Sequence, residues 1–555
     1  MDADAIVVGA GLAGLVAAHE LIAKGRRVIL VDQENRNQLG GQAHWSFGGL
    51  FLVNTPEQRR LGVHDSVELA RADWAGSASF DREDEDSWAR RWAEGYVDFA
   101  SGEKRAYLRE NGIRLTPMVG WAERGGSLAS GHGNSVPRFH IAWGTGTGVV
   151  RPFAESLLNA QNAGSASYRD RHRVSELIVE NGAVVGVRGS LLVPESGPGG
   201  QASNREVIGE FELRAPAVVL ASGGVGGNHA LVRELWPARM GTPPATMLTG
   251  VPEYVDGSGL QLAERAGARW VNKDRMWHYT EGIANHSPVW PGHGIRVLPG
   301  PSPLWFDALG RRLEPPNLPG YDTLASLQHL RTDPQAAKHD HSWFILSTTM
   351  IKKEFALSGS EQNPDLTTGT RLSVLRSRVG SGVPGPVATF QERGEDFLSA
   401  DTLEDLVAKM NALSGDELLD PAAIRAQIEA RDAQISNGFS KDAQIQGIRN
   451  SRAYLGDRLT RTTALHRVLD PEHGPLVAVR LRVLTRKSLG GLQTDLDSRV
   501  LDAHGATIPG LWAAGEAAGF GGGGMHGYRA LEGTFLGGCL FTGLRAGRSV
   551  AKHLG

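Results

Sequence analysis

The residues best suited to chemistry open the chain. Gly9-Ala10-Gly11-Leu12-Ala13-Gly14 follows the apolar run Ala5-Ile6-Val7-Val8. It precedes a helical-period stretch from Leu15 to Leu21, and a second apolar run, Val28 to Val31, ends at Asp32-Gln33. Glycines at this spacing allow a tight turn at Gly9, a close backbone approach to a pyrophosphate at Gly11 and close helix packing at Gly14. The free N–H groups at the helix start then face the phosphates. A carboxylate at Asp32 is placed to accept from a ribose hydroxyl. Strand, glycine turn, helix, strand and acid predict a dinucleotide-binding βαβ unit. They leave FAD and NAD both open.

Three further segments separate the two. Gly40-Gly41-Gln42-Ala43-His44-Trp45-Ser46-Phe47-Gly48-Gly49 carries two glycine pairs that let backbone lie along a flat ring. Ala217-Val218-Val219-Leu220-Ala221-Ser222-Gly223 is a strand ending in glycine, and Ile508-Pro509-Gly510-Leu511-Trp512-Ala513-Ala514-Gly515-Glu516 repeats that pattern with an acid. Together these segments resemble the fumarate reductase / 3-ketosteroid dehydrogenase family of FAD enzymes. The resemblance is best over 4–50, 140–275 and 486–550, and weak over 330–480. It implies an α/β fold: a Rossmann-like FAD-binding domain of the GR2 flavoprotein type with an inserted α+β substrate-capping domain. It also implies that Glu516 holds the ribityl chain, that Gly40, Gly41 and Ser46 contact the flavin, and that Val174 lies near the adenine. Gly533-Thr534 matches the family's Gly-Asn pair at the flavin pyrimidine edge. His44 is a conceivable covalent attachment point, but its surroundings lack the family's attachment motif, so noncovalent FAD is expected.

For catalysis, dehydrogenation beside a carbonyl needs a proton acceptor and a donor to the developing enolate oxygen. The resemblance offers Tyr321, in Pro319-Gly320-Tyr321-Asp322, as the base. It offers Tyr528 with Gly533 as the pair that polarises the ketone, with His526 beside them. It offers His278, in Met276-Trp277-His278-Tyr279-Thr280-Glu281, as a substrate-binding group. Fumarate-type reduction of an unsaturated acid is the alternative activity, with Arg486, Arg529 and Lys352 as a candidate anion site. A flavin-binding protein without catalysis and an NAD(P) dehydrogenase using only the first fingerprint are alternatives of other classes.

These residues must be positioned by a long chain: 555 residues, 72 of them glycine, with a net charge of −3. The balanced charge gives no electrostatic footprint for nucleic acid. A single cysteine, Cys539, excludes an internal disulfide, an iron–sulfur cluster and a Cys-rich metal site, so no metal is expected. Cys539 reads as packing. Apolar runs stay below the roughly 18 residues of a membrane span, and the N-terminus carries no targeting pattern, so a cytoplasmic protein is expected. The expected domains are an FAD-binding part over 1–274, a capping domain over 275–487, and the remainder of the FAD-binding domain over 488–555. Within them, 188–206 reads as a loop, and amphipathic helices are expected from Thr402 to Leu413 and from Pro421 to Ile435. The 13 tryptophans suit an apolar pocket for a flat substrate. The expected partners are such a substrate, an apolar ketone, and a separate electron acceptor. Twenty-six glycines are expected along the cofactor and the others in turns.

Overall fold

The run Ala5–Val8 forms strand β1, buried on both faces, and Val28–Val31 forms β2, its parallel neighbour. Continuous apolar strands of this kind belong inside a parallel sheet covered on both sides. The computed structural model describes residues 1–126, 133–370, 374 and 382–555. Among them six strands make one sheet, in the order Arg499–Leu501, Thr507–Ala513, Val218–Leu220, β1, β2 and Ala166–Arg169. All neighbouring pairs are parallel except the first. Residues from both ends of the chain thus complete one sheet.

Helix α1 (Leu12–Ala23) covers one face, packed against the last helix, Thr534–His553. Small residues make that packing close. A Cβ on Gly543 would lie 2.5 Å from the Ala13 carbonyl oxygen, and one on Gly547 would lie 2.7 Å from that of Ala17. These glycines serve helix contact rather than turns, which corrects the expectation for the glycines away from the cofactor.

A second sheet has the order Leu304–Asp307, His341–Ser347, Leu476–Ser488, Met276–Ala284, Gly294–Leu298 and Ala356–Leu357, with Leu248–Thr249 and Phe397–Ala400 also paired to Leu476–Ser488. Its strands lie between 276 and 488 in the sequence, apart from the two residues at 248–249. Helices Leu403–Ser414 and Pro421–Ala433 bury Leu406, Met410, Ile424 and Ile428 against it. Thr402 and Asp420 cap these helices by accepting from the Asp405 and Ala422 N–H groups at 3.2 and 2.9 Å. The segment 188–206 is shorter as a loop than the sequence suggests. The strand Ala183–Leu192 runs on to pair with Val207–Arg214, with Leu192 and Leu213 buried at either end of the pairing.

Between β2 and Ala166–Arg169 the chain makes an excursion through a three-stranded sheet, Gly49–Phe51, Phe139–Ala142 and Leu115–Gly120. Arg138 anchors it, paired with Asp65 at 2.7 Å and Asp73 at 2.6 Å, all three fully buried. No helix among the described residues is long and apolar enough to cross a membrane, and no cluster of His, Cys, Asp and Glu suited to a metal ion occurs among them.

Replacing Arg138 with methionine would leave two buried carboxylates unpaired. We expect a destabilisation of about 3–5 kcal/mol, read by urea unfolding. An unchanged midpoint would show that the pair does not hold this sheet.

Candidate active site

The parallel strands β1, Val218–Leu220 and Thr507–Ala513 end side by side, and the backbone that leaves them lines one long cleft. Its empty space amounts to about 1710 Å³, open solvent included, and it extends to residues of the second sheet. Every cofactor candidate from the sequence lines it except Gly14 and Thr534. Gly14 packs instead: a Cβ there would lie 2.0 Å from the Gly9 carbonyl oxygen. Thr534 is buried at the start of the last helix, where its hydroxyl meets the Leu531 carbonyl at 2.5 Å and His526 Nε2 at 2.9 Å.

At the near end, Gly9 has φ +106°, and a Cβ there would lie 2.5 Å from the Ala221 carbonyl oxygen, so only glycine fits the turn. Gly11 differs, since the nearest atom to its Cβ position is 3.9 Å away. Helix α1 starts without a side-chain cap, so its first N–H groups are unclaimed by one. Asp32 accepts from the Ala10 N–H at 2.6 Å and the Glu34 N–H at 2.8 Å, and burial pushes its carboxyl up to about 6. The loop at 193–206 lies over this end. Gln38 accepts from the Gly200 N–H at 2.6 Å, and Arg205 pairs with Glu34 at 2.7 Å.

Further along, Glu516 accepts on both oxygens. The Ser488 N–H and hydroxyl donate to Oε1 at 2.9 and 3.1 Å, and Gln42 Nε2 donates to Oε2 at 2.9 Å. Lys487 donates to Gln42 Oε1, and burial pushes its ammonium down to about 8. Cys539 also lines the cleft, where burial pushes its thiol up to about 12, so it is present as the thiol.

Beyond these lies a cluster that the sequence reading did not single out. Arg296 pairs with Glu532 at 2.8 Å and with Glu123, and its Nε is 3.6 Å from Glu281. Its guanidinium lies 3.7 Å from the centroid of the Tyr279 ring. Tyr279, Arg296 and Glu532 line the cleft, among Phe47, Phe139, Leu298 and Phe535. Burial, reinforced by Glu532, Glu281 and Asp322, holds the Glu123 carboxyl well above the usual range in spite of Arg296. Burial also raises the Tyr279 phenol, which keeps it a hydrogen-bond donor.

The four candidates for catalysis do not line the cleft. Tyr321 follows the left-handed Gly320, and its ring packs near Arg124, 5.6 Å from the guanidinium, and against Gly447. Tyr528 donates to Asp81 at 2.9 Å, with its ring 4.2 Å from the Arg275 guanidinium and 4.5 Å from that of Arg239. His278 is buried against Trp236 and accepts the Arg486 N–H at 2.9 Å, and burial pushes its imidazole down to about 3. His526 is buried against Trp74 and is likewise pushed down to about 3 by burial. Strand alternation explains the placement of His278. Trp277 and Tyr279 both reach Glu532 at 3.4 Å, so the residue between them faces the other way. A period-two reading of 276–281 would have selected Tyr279, and a lone arginine in the apolar strand Gly294–Leu298 was a signal for a buried charge. Arg486 lines the cleft, whereas Arg529 pairs with Asp322 at 3.3 Å and Lys352 is exposed, so the candidate anion site is not assembled. The glycines at 521–524 do not line the cleft either. Cβ atoms there would meet Trp92, Trp88, Val271 and Asn272.

The cleft fits a dinucleotide cofactor on its own atoms. Ser222 and Tyr254 line it, their hydroxyl oxygens are buried without a protein hydrogen-bond partner, and the space beside Gly11 admits a close neighbour. The family model described as "FAD binding domain" matches residues 4–536. The chain therefore belongs to this family of FAD-dependent flavoproteins. It is 60% identical over 553 residues, covering 100% of both chains, to a KsdD-like steroid dehydrogenase of Mycolicibacterium smegmatis. It is 58% identical over 555 residues to a KsdD-like steroid dehydrogenase of Mycobacterium tuberculosis strain H37Rv, covering 100% of this chain and 96% of the relative. Among solved structures, the 3-ketosteroid delta1-dehydrogenase of Sterolibacterium denitrificans shares the fold with a TM-score of 0.69 at 16% identity, covering 99% of each chain.

Asp32 yields a pH prediction. Burial pushes its carboxyl up to about 6, above the ordinary carboxylate range, so it is largely ionised at pH 7 and largely protonated by pH 5. A donor hydroxyl on the cofactor favours the ionised form. FAD retention should therefore weaken as pH falls through about 6, followed by release of flavin fluorescence. Asp32→Asn should bind FAD about 10-fold or more weakly at pH 7 and lose this pH dependence. A pH-independent affinity in the native protein would exclude Asp32 from cofactor binding.

Proposed function

We propose that the protein dehydrogenates a CH–CH bond beside the carbonyl of a flat, apolar ketone of the 3-ketosteroid type. The observation that carries this reading is the far end of the cleft. It is walled by Phe47, Phe139, Leu298 and Phe535 and holds the polar groups of Tyr279, Arg296 and Glu532. Pockets of this kind bury an apolar ligand and orient it through a few polar contacts. The whole-length relatives named KsdD-like steroid dehydrogenases support the same substrate class.

In this reading the turn at Gly9 to Gly11 and the start of α1 hold the pyrophosphate of FAD. Asp32 and Val174 hold its adenosine end, Glu516 holds the ribityl chain, and the backbone of 40–49 with Gly533 holds the ring. When bound, FAD supplies the acceptor for a hydride equivalent. The phenol of Tyr279 and the guanidinium of Arg296 border the cleft beside Glu532, and both donate to its carboxylate. The apolar walls exclude water from the reacting carbons. A small dicarboxylate is served less well, because Arg486 is the one member of the candidate anion site that lines the cleft. The single cysteine leaves no cysteine-ligated cluster to carry electrons onward, so they pass to a separate acceptor.

The test is to mix the purified flavoprotein with 3-ketosteroids under anaerobic conditions and then add a dye acceptor. The flavin absorbance should bleach with at least one saturated A-ring ketone, and the dye should then be reduced. No bleaching with any ketosteroid would overturn the reading, and reoxidation of the reduced flavin by fumarate would favour the carboxylate alternative.

A further inference from the structure

If the chain abstracts a proton beside a ketone, some group in a water-poor cleft must receive it. Among the described residues, four carboxylates line the cleft: Asp32, Glu34, Glu516 and Glu532. Asp32 accepts backbone N–H groups on both oxygens, and Glu516 accepts on both of its own. Glu34 is held by Ser203 and Arg205 at the end near β2. Glu532 differs. Arg296 Nη1 at 2.8 Å, Trp277 Nε1 at 3.4 Å and the Tyr279 hydroxyl at 3.4 Å all approach a single oxygen, Oε1. None of the three reaches Oε2.

The placement is also specific along the chain. Glu532 immediately precedes Gly533, whose backbone lines the cleft, and the last helix begins at the next residue. Its side chain is 8% exposed, so the carboxylate is shielded from bulk water yet borders the cleft. Behind it, Arg296 bridges to Glu123 and Glu281, and Thr323 donates to Glu281 at 2.8 Å. The charged and titratable groups facing Glu532 are thus Arg296, Tyr279, Glu123 and Glu281, with Lys487 and Arg486 further along the wall. One permanent cation among three carboxylates leaves room for a proton to be taken up within the cluster without creating net positive charge.

We propose that Glu532 is the catalytic residue that takes the substrate's proton, at Oε2, and that Arg296 and Tyr279 are its positioning residues. This rests on the ketone-dehydrogenation reading above. The C–H bond next to the carbonyl breaks, its proton goes to Oε2 and its electron pair enters the new C=C bond. The hydrogen on the adjacent carbon leaves with its own electron pair to the flavin oxidant of that reading. Release of the proton from Oε2 to water as the product leaves the cleft restores the carboxylate.

The test uses the FAD-loaded protein with 4-androstene-3,17-dione and with its A-ring-saturated analogue. Two rates are read: flavin bleaching, and deuterium uptake from D2O at the carbons next to the 3-ketone under anaerobic conditions without an acceptor. Glu532→Gln should lower both by about 10²–10⁴-fold, while the visible flavin spectrum and the steroid dissociation constant stay as in the native protein. Glu532→Asp, which keeps the carboxylate, should recover part of both rates. Native rates in E532Q, or E532D no faster than E532Q, overturn the proposal. Should E532Q fail to hold FAD, E532D decides: native rates overturn the proposal, and slowed deuterium uptake with an intact flavin spectrum supports it. If native protein is bleached by neither steroid nor by any other 3-ketosteroid, the ketosteroid reading fails and this proposal fails with it. Bleaching of native protein with unchanged behaviour in E532Q leaves that reading standing and removes only this one.

Discussion

Glu516 is a buried carboxylate that joins three separate parts of the chain. It sits just past the strand Thr507–Ala513 of the parallel sheet. It accepts from Ser488, at the end of the long strand of the second sheet, and from Gln42, in the glycine-rich turn. A buried charge of this kind is tolerated only with its donors in place. The requirement therefore ties the two sheets and the turn to one another at the middle of the cleft. Lys487, bonded to the same Gln42, adds a nearby cation. The cleft continues from that junction toward α1 on one side and toward Arg296 on the other.

The two ends are built on different principles. Toward α1 the wall is mostly backbone, and its chemistry is that of N–H groups, glycine turns and a carboxylate braced by main chain. Toward Arg296 the wall is side chains carried by strands of the second sheet and by the segment before the last helix. There a permanent cation is surrounded by Glu123, Glu281 and Glu532, and Tyr279 stacks on it. The first arrangement suits a long, polar, invariant ligand. The second suits a ligand that is mainly apolar and offers one oxygen.

Glycine takes on three roles in this architecture. At Gly9 and Gly14 it permits the turn and the helix contact. At Gly543 and Gly547 it allows the last helix to lie against α1. At 521–524 it packs the C-terminal loop against Trp92 and Val271 rather than leaving space beside a flat ring. The abundance of glycine therefore reflects close packing between elements as much as close approach to a ligand.

How much was legible follows from range. The glycine turn, α1, β2 and Asp32 are neighbours in the sequence, so their spacing alone defines the βαβ unit and the cofactor class. The capped helices at 403–414 and 421–433 were readable for the same reason, since cap and period are local. The Arg296 end of the cleft was not. Glu123, Tyr279, Arg296 and Glu532 come from four distant segments, and their meeting depends on the register of Met276–Ala284 against Gly294–Leu298 and on where the C-terminal segment returns. A shift of one residue along a strand turns each side chain to the opposite face. That is why a motif match at His278 pointed beside the cleft while its neighbour Tyr279 lines it. Sequence by itself determined the dinucleotide-binding βαβ unit, through short-range glycine spacing, and the family and FAD, through the resemblance of three further segments. Only the tertiary structure decided which polar side chains face the cleft, because that choice is made by strand pairing and buried-charge compensation across hundreds of residues.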